Sequence, residues 1–188
     1  LFVDKLDPQS GTALEIGSSG DTITIPSGAT IANSGTATGF GEANTPAFAA
    51  TYSSAGNGLA QATLTKLSFD SELYDSGSVY DASNYRFTPG VAGKYFIYAR
   101  TLISAGSTSP NQGRIAIYKN GSMFNYWRWT NTATISDFSM QISAFDTANT
   151  TDYYEAYIYQ SNATSSTTFS VNSDTSQVGL FMGYKITT

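Results

Sequence analysis

Fourteen carboxylates are the abundant reactive groups in this chain, because it contains neither histidine nor cysteine. That absence removes Ser–His and Cys–His relays and zinc sites built from imidazole or thiolate. It also leaves no disulfide framework. Four of the acids, Asp70, Glu72, Asp75 and Asp81, crowd into FDSELYDSGSVYD (69–81). Two carboxylates flanking a glycosidic bond can hydrolyse it, and several oxygen ligands in one place can hold Ca²⁺. Asp and Ser also favour turns, and the D-x-D-x-D-G run of an EF-hand is absent. A glycan-cleaving site, a Ca²⁺ site and a solvated acidic turn are therefore the three readings of this cluster. A depolymerising enzyme needs a long groove, for which a domain of this size leaves little room, so the chain is expected not to be an enzyme.

A second constellation is FNYWRWTN (124–131). In a strand, Trp127 and Trp129 share a face and Arg128 stands between them. Paired indoles can stack on sugar rings while an arginine holds hydroxyls or acidic groups. Large aromatics equally fill a core or an interface, and both readings stay open. The tyrosine-rich DYYEAYIYQS (152–161) divides in the same way: Tyr153, Tyr157 and Tyr159 on one face, Tyr154 with Ala156 and Ile158 on the other.

Composition says which elements must position these groups. The chain is 40% apolar and only 12% charged, and it is rich in Thr, Ser, Gly and Tyr. That favours strands and turns over helices and argues against disorder. A net charge of −5 disfavours nucleic acid or an anionic membrane as partner. No apolar run approaches the roughly 18 residues of a membrane span. The chain opens at Leu1 without Met or a signal peptide, which reads as a fragment of a longer polypeptide.

Two regions are expected, 1–44 and 45–188. Before Pro46 the only aromatics are Phe2 and Phe40, and short alternating units recur: Leu14/Ile16, Ile23/Ile25, then Ile31. Glycine-rich breaks and Pro26-Ser27-Gly28 separate them. One copy of such a segment buries too little to offset a backbone ordering cost of about 1–2 kcal/mol per residue. Several intertwined copies would bury the isoleucines together, whereas a linker would leave them bare. From Pro46 onward the strand signals strengthen. PAFAATYS (46–53) alternates, and GKYFIYARTLI (93–103) puts Tyr95, Ile97 and Ala99 on one face and Phe96, Tyr98 and Arg100 on the other. Large residues on both faces imply a strand buried once in the domain and once against something else. RIAIYKNGSMFNYWRW (114–129) reads as a hairpin turning at Asn120-Gly121. DFSMQISAFD, DYYEAYIYQS, TFSV and VGLFMGYKI complete about eight to ten strands without a helical run, which describes a sandwich or jelly roll. The polar stretches 104–113 and 162–168 read as exposed recognition loops.

YDASNYRFTPGVAGKYFIYA (80–99) resembles the signature of C1q-like globular domains, on Tyr80, Asp81, Phe87, Pro89, Gly90, Gly93, Tyr95 and Phe96. IYKNGS (117–122) resembles that family's next hairpin, and TTFSVNSDTSQVGLFMGYKI (167–186) is similar to its closing strands, with Ser170 following Phe169. The resemblance implies a ten-stranded C1q/TNF-like jelly roll that forms a homotrimer. Tyr95, Phe96, Ile97, Tyr98, Phe181 and Tyr184 are then expected at the trimer core or interface. Some C1q-like trimers bind calcium near the axis, so Asp70, Glu72, Asp75 and Asp81 carry a possible Ca²⁺ site; no other cofactor is implied. In place of a collagen-like stalk, LEIGSSGDTITIPSGATIANSGTATGF (14–40) is similar to segments preceding the terminal domains of bacteriophage tail fibres. Together the resemblances imply a trimeric fibre tip, extracellular and part of a virion, on a short intertwined shaft packed through Leu14, Ile16, Ile23, Ile25 and Ile31. Its partners would be further copies of itself, the rest of the fibre, and a bacterial surface polysaccharide or protein met by Trp127, Arg128 and Trp129. A purely structural trimerisation or capping module and a secreted C1q-like binding protein are the alternatives.

Overall fold

A computed structural model describes residues 8, 10–35, 44–104, 110–131, 135, 137–162, 168–172 and 179–187. Most of the two expected recognition loops, at 105–109 and 163–167, lies outside the described residues. The chain divides into two compact units, Leu1–Phe40 and Gly41–Thr188.

In the first unit no described residue joins a strand ladder. The Ala29 amide bonds the Pro26 carbonyl and the Asp21 amide that of Ser18, closing turns around Gly28 and Gly20, both at positive φ. Leu14, Ile16, Ile23, Ile25 and Ile31 are all exposed, Ile16 by 59%. The expected β-rich character is thus not expressed within one copy. Among the described residues the alternating units have no partner strand, and a strand without a partner leaves its amides to water.

The described residues of the second unit form thirteen strands. They are β1 (Ala47–Thr51), β2 (Gly56–Ala60), β3 (Thr65–Lys66), β4 (Ser71–Ser76), β5 (Tyr80–Asp81), β6 (Arg86–Phe87), β7 (Gly93–Ser104), β8 (Pro110–Lys119), β9 (Ser122–Thr130), β10 (Asp137–Ala148), β11 (Tyr154–Asn162), β12 (Thr168–Asn172) and β13 (Leu180–Thr187). The first sheet runs β2–β12–β7–β13–β1–β4, with β10 on the other edge of β7. The second runs β5–β6–β11–β8–β9, with β3 also on β11. Crossovers between strands distant in sequence make this a jelly-roll sandwich, all β as its composition requires. The surplus over ten strands comes from short pieces such as the two-residue β3, β5 and β6. One element runs against its local chemistry. Ser71–Ser76, inside the acidic segment, is a strand bonded to β1, because the open ladder of β1 outweighs a weak strand propensity.

The core lies between the sheets and is built by alternation. Tyr95, Ile97, Ala99, Thr101 and Ile103 of β7 are buried, as are Tyr154, Ala156 and Ile158 of β11. Phe48 anchors one end, with ring centroids 4.6 Å from Tyr80, 4.5 Å from Phe87 and 5.0 Å from Phe181. Gly183 makes room for it: a Cβ there would stand 3.1 Å from carbons of both Phe48 and Phe87.

The β8–β9 hairpin turns on Asn120 (φ 53°) and Gly121 (φ 75°), as the Asn-Gly pair predicts. A buried carboxylate fixes it to the rest of the domain. Asp152 accepts hydrogen bonds from Asn120 Nδ2 at 2.7 Å and the Asn149 amide at 2.9 Å, and Lys119 Nζ stands 3.0 Å away. Asn120 Oδ1 in turn accepts from the Tyr153 amide. Burial alone would raise the Asp152 carboxyl, but these partners hold it down at about 2. An unfolded aspartate titrates near about 3.9. The contribution to stability is therefore complete above about pH 4 and is lost as pH falls towards 2. Asp152→Asn should be less stable than the parent at neutral pH, and urea unfolding across a pH series should show that gap closing between about pH 4 and 2.

Candidate functional site

Three surfaces of the sandwich carry the residues singled out above. On the outer face of the first sheet, cross-strand register aligns Tyr184 of β13, Phe96 of β7 and Phe145 of β10 in one row. Phe96 lies 5.5 Å from the Tyr184 ring and 5.2 Å from Phe145, and Tyr98 continues the cluster at 6.5 Å. Phe145 is 70% exposed. The Tyr98 hydroxyl donates to Gln141 Oε1 at 2.8 Å. This face divides the six residues expected at a trimer interface. Phe96, Tyr98 and Tyr184 point outward, whereas Tyr95, Ile97 and Phe181 have no exposed surface and fill the protomer's own core. The correction follows from the two-residue period of a strand, which cannot send neighbours to one side. Phe145 was overlooked, though its sequence carries a signal: it ends the run Ser139, Gln141, Ser143 with an aromatic where the pattern calls for a polar residue.

The second surface is the edge where β9 approaches β10, tied by Asn125 Nδ2 donating to the Ser143 carbonyl at 3.1 Å. Directly opposed residues share a face, and Trp127 opposes Ile115 while Trp129 opposes Gly113. Both indoles therefore start towards the sandwich. Trp129 stacks on Phe138 at 4.6 Å and packs against the core. Gly113 permits that packing, since a Cβ there would come within 2.9 Å of Met140 Sδ and Phe138 Cε2. Trp127 is 45% exposed and lines a cleft of about 550 Å³ with Arg100, Thr101, Ser139, Met140 and Gln141. Arg128 opposes Arg114 instead, on the outer face. Trp127, Arg128 and Trp129 thus do not form one contact surface; alternation along β9 separates the arginine from the indoles.

That outer face of the second sheet is the third surface. Tyr118 and Tyr157 lie 4.2 Å apart, and Arg114 stands 5.3 Å from the Tyr126 ring and 5.4 Å from that of Tyr159. Arg86 covers Tyr153 at 3.8 Å. Glu155, almost wholly buried, receives Arg86 at 2.8 Å and Lys66 at 3.1 Å. Burial would raise its carboxyl, but the hydrogen bonds from Arg86 and Lys66 hold it below the usual range.

The acidic segment does not assemble. Asp70 accepts from the Ser53 amide and hydroxyl, Asp75 from the amides of Val79 and Tyr80, and Asp81 from Ser83 and Asn84. The Asn84 and Ser83 hydrogen bonds hold the Asp81 carboxyl at about 2. Glu72 sits on β4 opposite Ala50. Among the described residues no three acids gather to hold a metal. The expected Ca²⁺ ligands Asp70, Glu72, Asp75 and Asp81 are therefore not gathered within one chain: Asp75 and Asp81 close local turns, and Asp70 ties its segment to Ser53.

No protein-family model and no curated protein matches the chain. Solved structures do. The chain is similar to the globular domain of zebrafish complement 1qA protein, with a TM-score of 0.51 and 16% identity over 75% of this chain and 97% of that one. It is also similar to murine APRIL, with a TM-score of 0.53 and 11% identity over 74% and 98% of the two chains. The fold is thus a C1q/TNF-like jelly roll.

The two indoles differ in what supports them, and stability measurements separate them. Trp129→Ala should cost about 3 kcal/mol in urea unfolding, as the stack on Phe138 is lost. Trp127→Ala should stay within about 1 kcal/mol of the parent, because half of its surface is already in water.

Proposed function

We propose that residues 45–188 are the trimeric head of a fibre, of the bacteriophage tail-fibre kind, which binds a bacterial surface receptor without catalysis. The observation that carries this reading is the row Tyr184–Phe96–Phe145 on the outer face of the first sheet. An aromatic face spanning three strands, with one ring 70% exposed, is the kind of surface that another chain covers. Three copies arranged head to tail about an axis close such an interface into a ring. The C1q/TNF-like fold supports the same arrangement. Residues 1–44 then act as the shaft. Trimerisation of the heads brings three shaft segments together, so that Leu14, Ile16, Ile23, Ile25 and Ile31 find partners across chains. Three heads on one shaft bind a repetitive surface with an avidity that no single head reaches. The outer face of the second sheet is left for that surface.

Light scattering on the purified chain should give the mass of a trimer at micromolar concentration. Phe145→Asp should shift it towards monomer while retaining the β circular-dichroism signal; a monomeric parent chain overturns the reading. Purified chain in excess should also reduce adsorption of the parent virion to its bacterial host. Undiminished adsorption would favour a structural capping module over a receptor-binding head.

A further inference from the structure

We infer that the outer face of the second sheet binds a carboxylate-bearing sugar through Arg114 and Arg128. The inference rests on the receptor-binding reading and gives the receptor a chemical class: an acidic surface polysaccharide. Its basis is an unfavourable pairing. Arg114 and Arg128 stand directly opposite each other on neighbouring strands, where side chains leave the backbone about 4.5–5.5 Å apart and like charges destabilise the ladder. Among the described residues no acid relieves them, since the ion pairs there involve Lys66, Arg86 and Lys119. Arg114 Nε is also buried without a hydrogen-bond partner. A chain of net charge −5 thus sets two arginines opposite each other on the outer face of this sheet.

An anion between them removes the repulsion and accepts charge-assisted hydrogen bonds from both. The surroundings say what kind of anion. Register places Tyr159 beside Arg114 in the same row, and in the next row Tyr157 and Tyr126 flank Ala116. Ala116 lies on this face, opposite to Ile115 and Ile117, yet has no exposed surface, so the side chains around it close over it and the rings and guanidiniums make up the accessible face. Aromatic rings of this kind pack on the C–H face of a pyranose. A carboxylate borne directly on such a ring reaches the arginines while the ring lies against Tyr126 or Tyr159.

The test uses the whole chain on an array of uronic, sialic and ulosonic acid oligosaccharides, their methyl esters, neutral glycans, and sulfated and phosphorylated sugars. Binding should fall on the carboxylates and vanish on esterification. Arg128→Gln should weaken it at least about tenfold without lowering the melting temperature, because the substitution also removes a like-charge contact. Arg114→Lys, which keeps the charge and loses the fork, should weaken it too. Absence of carboxylate-dependent binding, preference for sulfate or phosphate, or full affinity in Arg128→Gln overturns the inference. Adsorption competition keeps the two readings apart. If parent chain and Arg128→Gln compete equally for host cells, the head reading stands and this site falls. If acidic sugars bind but the parent chain does not compete, the site stands and the adsorption reading falls.

Discussion

The twelve residues of β7 bond β10 along one edge, and β13 followed by β12 along the other. Because a strand alternates, this single element supplies both faces of the first sheet. Its inner set, from Tyr95 to Ile103, meets Phe48, Phe87 and Phe181 in the core. Its outer set, led by Phe96 and Tyr98, is joined across the register by Tyr184 and Phe145. The sandwich cannot gain the inner face without creating the outer one. A polar outer set would have left an ordinary solvated sheet; an aromatic one leaves Phe145 70% exposed beside Phe96 and Tyr184.

The second sheet resolves the same constraint differently. Its inner residues, Ile115, Ile117, Tyr154 and Ile158, are as apolar as those of β7. Its outer residues are tyrosines and arginines, side chains that keep an apolar body and a polar end and so tolerate water. Glu155 holds Arg86 and Lys66 at one end of this face, whereas Arg114 and Arg128 face each other near β9. The contrast separates a face of bare aromatic rings from one on which the rings alternate with charged groups. The hairpin that presents the latter is held at its turn by Asp152 and Asn120 and along β9 by Trp129 stacked on Phe138.

Much of this architecture was legible from local pattern. The alternation of β7, the Asn120-Gly121 turn and the division of the β11 tyrosines each follow from neighbouring residue types. What escaped was anything set by a partner strand. Ser71–Ser76 looked like a turn until β1 offered it a ladder. Trp127, Arg128 and Trp129 looked like one surface because they are adjacent, and Asp70, Glu72, Asp75 and Asp81 looked like one site for the same reason. Adjacency in sequence is not adjacency in space when side chains alternate and neighbouring carboxylates bond different segments of the chain.

Residue types and their spacing alone set the class of the fold, the absence of imidazole and thiol chemistry, the division of the long strands into two alternating sets, and the contrast between an aromatic-poor leading segment and an aromatic-rich domain. These are properties of composition and short-range period, which need no knowledge of what lies alongside. Only the tertiary structure decided which rings meet. It placed Phe145 beside Phe96 across β7 and β10, sent Trp129 under Phe138 while Trp127 stayed in the cleft, and set Arg114 against Arg128. Cross-strand register makes those choices, and register is a property of pairs of strands, fixed by which side chains the finished core can bury.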